Sequence, residues 1–92
     1  MIKSFADKDT QKVFERQYSK RFNNIERIAL RKLVMLNAAN ALVDLKVPPG
    51  NRLEALKNDR IGQHSIRVNQ QWRICFNWND GEIENVEICD YH

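Results

Sequence analysis

Pro48-Pro49-Gly50 divides the chain into two stretches whose hydrophobic residues repeat at different intervals. Before it, Ile25, Ile28, Ala29, Leu33, Leu36, Ala39 and Val43 recur at helical spacing, a broad buried stripe on a helix that starts at Asn23 or Asn24. Two prolines stop that helix, since each removes a backbone N–H and clashes with the preceding turn. Gly50-Asn51 then supplies turn chemistry, and from Arg52 onward the period becomes two. Four short strands are predicted: Arg52 to Leu56, Gln63 to Val68, Trp72 to Trp78 and Ile83 to Cys89. Upstream, Ile2 to Phe5 suits an edge strand. Asp7 or Asp9 caps a first helix running to about Tyr18, with Val13, Phe14 and Tyr18 inward and Lys8, Lys12, Arg16, Lys20 and Arg21 on a basic outer side.

Asn69-Gln70-Gln71 and Asn79-Asp80-Gly81 separate neighbouring strands at hairpin length, so the sheet is mainly antiparallel. Strict alternation then sorts the side chains. Trp72, Ile74, Phe76 and Trp78 face the helices, while Arg73, Cys75 and Asn77 point away. Ser65 and Arg67 share the open face, opposite His64, Ile66 and Val68. Val86 and Ile88 turn inward, leaving Glu87 and Tyr91 outward. His64, beside Ile66, reads as a core histidine. The fold class is α+β: two N-terminal helices packed on a sheet of about four to five strands.

Ninety-two residues make one domain, 1–92, with no composition break, repeat or linker. A chain this short hides only about 60 to 65% of its unfolded surface, which leaves room for one helix-on-sheet core and no large cavity. Any site is therefore a shallow groove. Residues 1–50 carry ten Lys and Arg against five Asp and Glu, whereas residues 51–92 carry five against seven. The basic half suits a polyanionic partner. Cys75 and Cys89 fit no zinc, CxxC or disulfide-rich pattern and are expected to be free thiols in the cytoplasm. The N-terminus becomes charged before any apolar signal core forms, and no run reaches membrane-spanning length, so neither export nor membrane insertion is expected.

There is no phosphate-cradling glycine loop, no HExxH and no metal-ligand spacing; neither a metal nor another cofactor is expected. Ser4, Ser19 and Ser65 sit in no nucleophile elbow. What remains is Lys57-Asn58-Asp59-Arg60, the outward Arg67 and Arg73, and the terminal Asp90-Tyr91-His92. Structural roles compete for several of these: Arg73 pairing with Glu87, Arg60 with Asp59, and Tyr91 packing at the sheet edge.

The stretch from Arg60-Ile61-Gly62-Gln63-His64 through Trp72-Arg73-Ile74-Cys75-Phe76, joined to the ending Glu87-Ile88-Cys89-Asp90-Tyr91-His92, resembles the HigB toxins of the RelE/ParE superfamily. Met1-Ile2-Lys3-Ser4-Phe5 and Pro48-Pro49-Gly50-Asn51-Arg52-Leu53-Glu54 resemble the plasmid-maintenance-killer branch, so the likeness spans the chain. It implies a RelE-like fold and a ribosome-dependent, metal-independent endoribonuclease that cuts messenger RNA in the ribosomal A site. It also implies a helix-turn-helix antitoxin of the HigA type, through which alone the toxin meets operator DNA.

Cutting RNA in this way needs a base for the 2′-hydroxyl proton, a cation for the transition-state charge and an acid for the leaving oxygen. Arg73 is the expected phosphate clamp, because a guanidinium can hold two phosphate oxygens at once and stays charged. His92 titrates near neutral pH and suits proton transfer, with Asp90 to orient it or share its proton and Tyr91 to stack on or bond to the RNA. Lys57, Arg60 and Arg67 add phosphate contacts. Some HigB toxins have Leu-His-Pro-Leu-Lys where this chain reads Leu53-Glu54-Ala55-Leu56-Lys57; here Glu54 replaces that histidine, or His92 and Lys57 share its work, or the enzyme is slower. Two other functions compete: a ParE-like inhibitor of gyrase that cuts no RNA, and a non-toxic nucleic-acid-binding module. Neither accounts for the terminal triplet.

Overall fold

The computed structural model of the protein describes residues 1–90. Two helices, α1 (Lys8–Phe14) and α2 (Glu26–Ala38), precede four strands, β1 (Glu54–Ala55), β2 (Gln63–Arg67), β3 (Trp72–Asn79) and β4 (Glu82–Asp90). The strands pair in sequence order and every pairing is antiparallel. This is the expected α+β arrangement. Asp80 and Gly81 take φ values of 53° and 85° at the β3–β4 turn, the left-handed pair that a tight hairpin matching the strand twist requires.

One core fills the space between helices and sheet. Val13, Phe22, Ile25, Ala29, Leu33, Leu36 and Leu45 meet Ile66, Val68, Ile74, Phe76, Ile83, Val86 and Ile88. Each large apolar side chain buried in this way contributes roughly 1.5–3 kcal/mol. Trp72 closes one end of the core, edge-on to Phe22 at 5.4 Å. His64 lies on the same face, its ring stacked on Phe76 at 6.3 Å, and its buried Nδ1 has no hydrogen-bond partner among the described residues.

Both helices are shorter than their sequence patterns suggest. Asp7 caps α1 by accepting from the Thr10 N–H at 2.7 Å, while Asp9 instead accepts from the Ser19 hydroxyl. The helix ends at Phe14 because Arg16 turns left-handed at φ 60°, and Tyr18, expected inside, is 66% exposed. Helix α2 begins at Glu26 and stops at Ala38, ten residues before the prolines, where Ala39 is extended. The Asp44 carboxylate accepts from the N–H groups of Asn40 and Ala41 and caps a separate 3₁₀ turn, Leu42–Lys46. Short polar side chains that bond nearby backbone compete with helix continuation in this way. Val43 is consequently exposed and Leu45 takes the buried place.

The strands also depart from strict alternation. Ile83 and Val86 are both fully buried although three residues apart. A bulge between the pairs Asn77–Glu84 and Cys75–Glu87, with Asn85 at φ 54°, inserts the extra residue that lets both face inward. The N-terminal segment forms two isolated parallel bridges to β4, Ile2–Ile83 and Phe5–Val86, where a full edge strand was expected. Residues 3 to 10 nevertheless cover the outer edge of β4. Lys3 donates to the Ile83 carbonyl, Ala6 to that of Val86, Val86 to that of Ser4, and Ile88 to the buried Thr10 hydroxyl oxygen at 3.0 Å. Thr10 in turn donates to Asp7, so the cap of α1 is tied to the strand leading to Asp90.

Candidate active site

On the sheet face away from the helices lies an open groove of about 560 Å³, lined by Glu54, Ala55, Leu56, Lys57, Asn58, Arg60, Cys75, Cys89 and Asp90. Its wall is the β1–β2 connection. Leu56 N–H donates to the Gln63 carbonyl to end the strand pairing, and a single 3₁₀ turn follows over Asn58–Arg60 with Lys57 as its first cap. Positive φ at Asn58 and Gly62 bends the chain back towards the sheet. Lys57 and Arg60, at the two ends of this turn, both line the groove.

Arg60 is fixed from two directions. Its Nη1 donates to Gln63 Oε1 at 2.9 Å and its Nη2 to Glu87 Oε1 at 3.1 Å, an ion pair across to β4. Glu87 thus pairs with Arg60, and neither the Arg60–Asp59 nor the Arg73–Glu87 pairing is the one formed. Burial alone would lower the Arg60 pKa, yet its net shift is upward because the Cys89 and Cys75 sulfurs and Glu87 favour the cation. Exposed Lys57 has no ion-pair partner among the described residues. Glu54, also exposed, stands opposite Ser65 in the β1–β2 register. Asp90, opposite Trp72, accepts from Gln71 at 3.2 Å.

Arg73 points away from the helices as alternation predicts, but it is not open to the groove: only 5% of it is exposed. Its Nε donates to Ser65 Oγ at 2.8 Å, and its Nη2 donates to the Arg52 carbonyl at 2.7 Å and that of Ser65 at 3.4 Å. Arg52 has the left-handed φ of 46° and so turns its carbonyl onto the guanidinium as the chain enters β1. The segment before β1 therefore covers a side chain that the strand pattern leaves outward. Arg67 lies outside the groove altogether. Its Nε donates to the Asn69 carbonyl, and it lines a second depression with Arg31, Lys32 and Gly50. Burial, then the neighbouring Arg31 charge, lowers the Lys32 pKa, while its ammonium bonds to buried Asn51.

Glu54, Lys57, Arg60 and Asp90 are thus brought together, Arg73 lies behind them, and Arg67 is elsewhere. Tyr91 and His92, the other candidates, lie outside the described residues. No group of three or more His, Cys, Asp or Glu among the described residues is placed to hold a metal ion, and no helix of the described residues is long and apolar enough to cross a membrane. The sequence reading missed the two thiols in the groove floor. Their signal was parity: Cys75 lies two residues from Arg73 on the same strand, and Cys89 two from Glu87.

The family described as the RelE-like toxin of type II toxin-antitoxin system HigB matches residues 3–92. Toxin HigB-1 of Vibrio cholerae is 43% identical over 90 residues, covering 96% of this chain and 95% of that protein. Endoribonuclease HigB of Proteus vulgaris is 33% identical over 94 positions and all of both chains. Among solved structures, the toxin fold recurs in a YoeB-YefM complex from Staphylococcus aureus, with a TM-score of 0.62 at 17% identity over 100% of this chain and 98% of that one.

Proposed function

Since the chain belongs to the HigB family of RelE-like toxins of type II toxin-antitoxin systems, we propose that it is an endoribonuclease that cuts messenger RNA in the ribosomal A site. The observation that carries this reading is the end-to-end similarity to a relative named as an endoribonuclease, in a chain whose groove gathers Lys57, Arg60, Glu54 and Asp90. The site of action is the cytoplasm, and the inhibitory partner is a helix-turn-helix antitoxin of the HigA type that also links the toxin to operator DNA.

In this reading the RNA backbone lies along the groove with its scissile phosphate near Lys57, whose ammonium is exposed and unpaired among the described residues. Arg60 adds a second contact, restrained by Gln63 and Glu87 so that little side-chain freedom is lost on binding. Arg73 stabilises the charge that develops on phosphorus as a fixed cation, held beneath the site by Ser65 and the Arg52 carbonyl. A preoriented charge in a water-poor place needs no reorganisation as the reaction proceeds. His92 transfers the proton to or from the 2′-hydroxyl and the leaving oxygen, Tyr91 stacks on a base, and Asp90 orients them. Glu54 occupies the place of the histidine in the related Leu-His-Pro-Leu-Lys pattern and serves as an auxiliary proton acceptor. Arg67, with Arg31 and Lys32, forms a separate basic surface for RNA backbone.

Primer-extension mapping of messenger RNA with purified ribosomes tests the proposal. Native protein is expected to give discrete cuts within codons that depend on ribosomes, and Lys57→Ala to weaken them about a hundredfold, the order of one transition-state charge contact. Intact RNA alongside growth arrest in cells would overturn the nuclease reading.

A further inference from the structure

The two thiols in the groove floor have no part in the reaction above, and their placement is not that of ordinary packing cysteines. In the β3–β4 register Cys75 stands opposite Glu87 and Cys89 opposite Arg73, so the thiols are diagonal neighbours. The twist of an antiparallel pair shortens one of its two diagonals. Here the Cys89 thiol donates to Cys75 Sγ at 2.9 Å, within easy reach of a covalent bond. Cys75 is buried and Cys89 half-buried, but both line the open groove, so a small oxidant reaches them from the same side as RNA.

The pair shares its protons unequally. The hydrogen bond from Cys89 holds the Cys75 thiol below its ordinary pKa despite the opposing cost of burial, with the Arg60 and Arg73 cations adding to the effect. The same hydrogen bond and burial push Cys89 far upward. One sulfur is thus prepared to attack and its neighbour to resolve, the division of labour in redox-active dithiols.

We propose that Cys75 and Cys89 form a redox modification site: a peroxide closes them into a disulfide across β3 and β4, and the closed toxin cuts RNA more slowly. The Cys75 thiolate attacks one peroxide oxygen, the O–O bond breaks, and hydroxide leaves a sulfenic acid on Cys75. Cys89 sulfur then attacks Cys75 sulfur, the S–O bond breaks, and the departing hydroxide leaves as water with the Cys89 proton. Two thiols lose two electrons and two protons, and one peroxide becomes two waters. The bond pulls on Cys89, whose next residue is Asp90 in the groove wall, and it removes the sulfurs' ionisable partnership with Arg60. Shifts well below an ångström at such a site are costly to rate. The loss of cutting rests on the nuclease reading; the closure itself does not.

The test treats the full chain with hydrogen peroxide, removes the oxidant, counts thiols by maleimide labelling and intact mass, and then assays cutting on ribosomes without reductant. The expected product is a monomer lighter by two hydrogens with no titratable thiol, cutting about tenfold more slowly, and restored by a thiol reductant. Cys89→Ser, which lacks the resolving sulfur, is expected to gain oxygen at Cys75 under the same treatment and never to lose two hydrogens. Two titratable thiols after treatment, a bond formed only between chains, or a closed monomer that cuts as fast as the reduced one would each overturn the proposal. A protein that closes the bond yet cuts no RNA when reduced would support the thiol site and count against the nuclease reading.

Discussion

The two faces of β3 share one backbone and are built in opposite ways. Towards the helices, Ile74 and Phe76 are fully buried among other apolar side chains, and what holds them is area and fit. Towards the groove, Arg73 and Cys75 are almost as well buried, yet each is held by named partners: Ser65 and the Arg52 carbonyl for one, Cys89 for the other. The first face tolerates exchange of similar shapes, as packed cores do. The second depends on directional bonds, so a substitution there alters chemistry and geometry together.

The contrast is sharpest in unfolding by urea. Phe76→Ala, which empties the centre of the apolar face, is expected to lose about 3–5 kcal/mol. Arg73→Met keeps much of the side-chain volume but removes the donors to Ser65 and the Arg52 carbonyl; a loss of about 1–3 kcal/mol is expected, with weaker RNA cutting even in the folded fraction. Equal losses for Arg73→Met and the volume-conserving Ile74→Leu would erase the distinction between the faces. Arg60→Ala breaks an ion pair whose side chains are 41% and 34% exposed, so solvent screening limits the loss to at most about 1 kcal/mol. RNA binding measured by filter retention should weaken more visibly. Lys57→Ala, at the exposed rim, should change stability by no more than about 0.5 kcal/mol while removing most cutting. A destabilised Lys57→Ala protein would reassign that lysine to the framework.

The apolar face was also the legible one. The stripe Ile25, Ala29, Leu33 and Leu36, the Asp80-Gly81 turn and the alternation in β3 each follow from local chemistry, and they placed two helices on an antiparallel sheet. Features that depend on residues far apart were not legible. Alternation gave the direction of Arg73 but not its cover, because that cover is the Arg52 carbonyl, brought there by a left-handed turn. Arg67 has the same parity as Arg73 and still belongs to another surface, beside α2. The Asn85 bulge gives no sequence signal beyond the odd spacing of Ile83 and Val86. The meeting of Cys75 and Cys89 depends on that same register, so two cysteines fourteen residues apart looked unrelated. Elimination of other chemistries had put Lys57 and Asp90 in one candidate set, but only the groove brings them to one surface.

The covering of β4 by residues 3 to 10 also bears on the order of folding. The bonds from Asn85 to Ser4 and from Ile88 to Thr10 join residues 81 and 78 positions apart. Contacts so distant along the chain carry the largest closure entropy and form after the β2–β3 and β3–β4 hairpins, whose partners are near in sequence. Weakening them, as in Thr10→Val, should leave the folding rate almost unchanged and speed unfolding. The lifetime of the folded toxin is then governed by a seam formed late, at the edge of the strand that carries Cys89 and Asp90 into the groove.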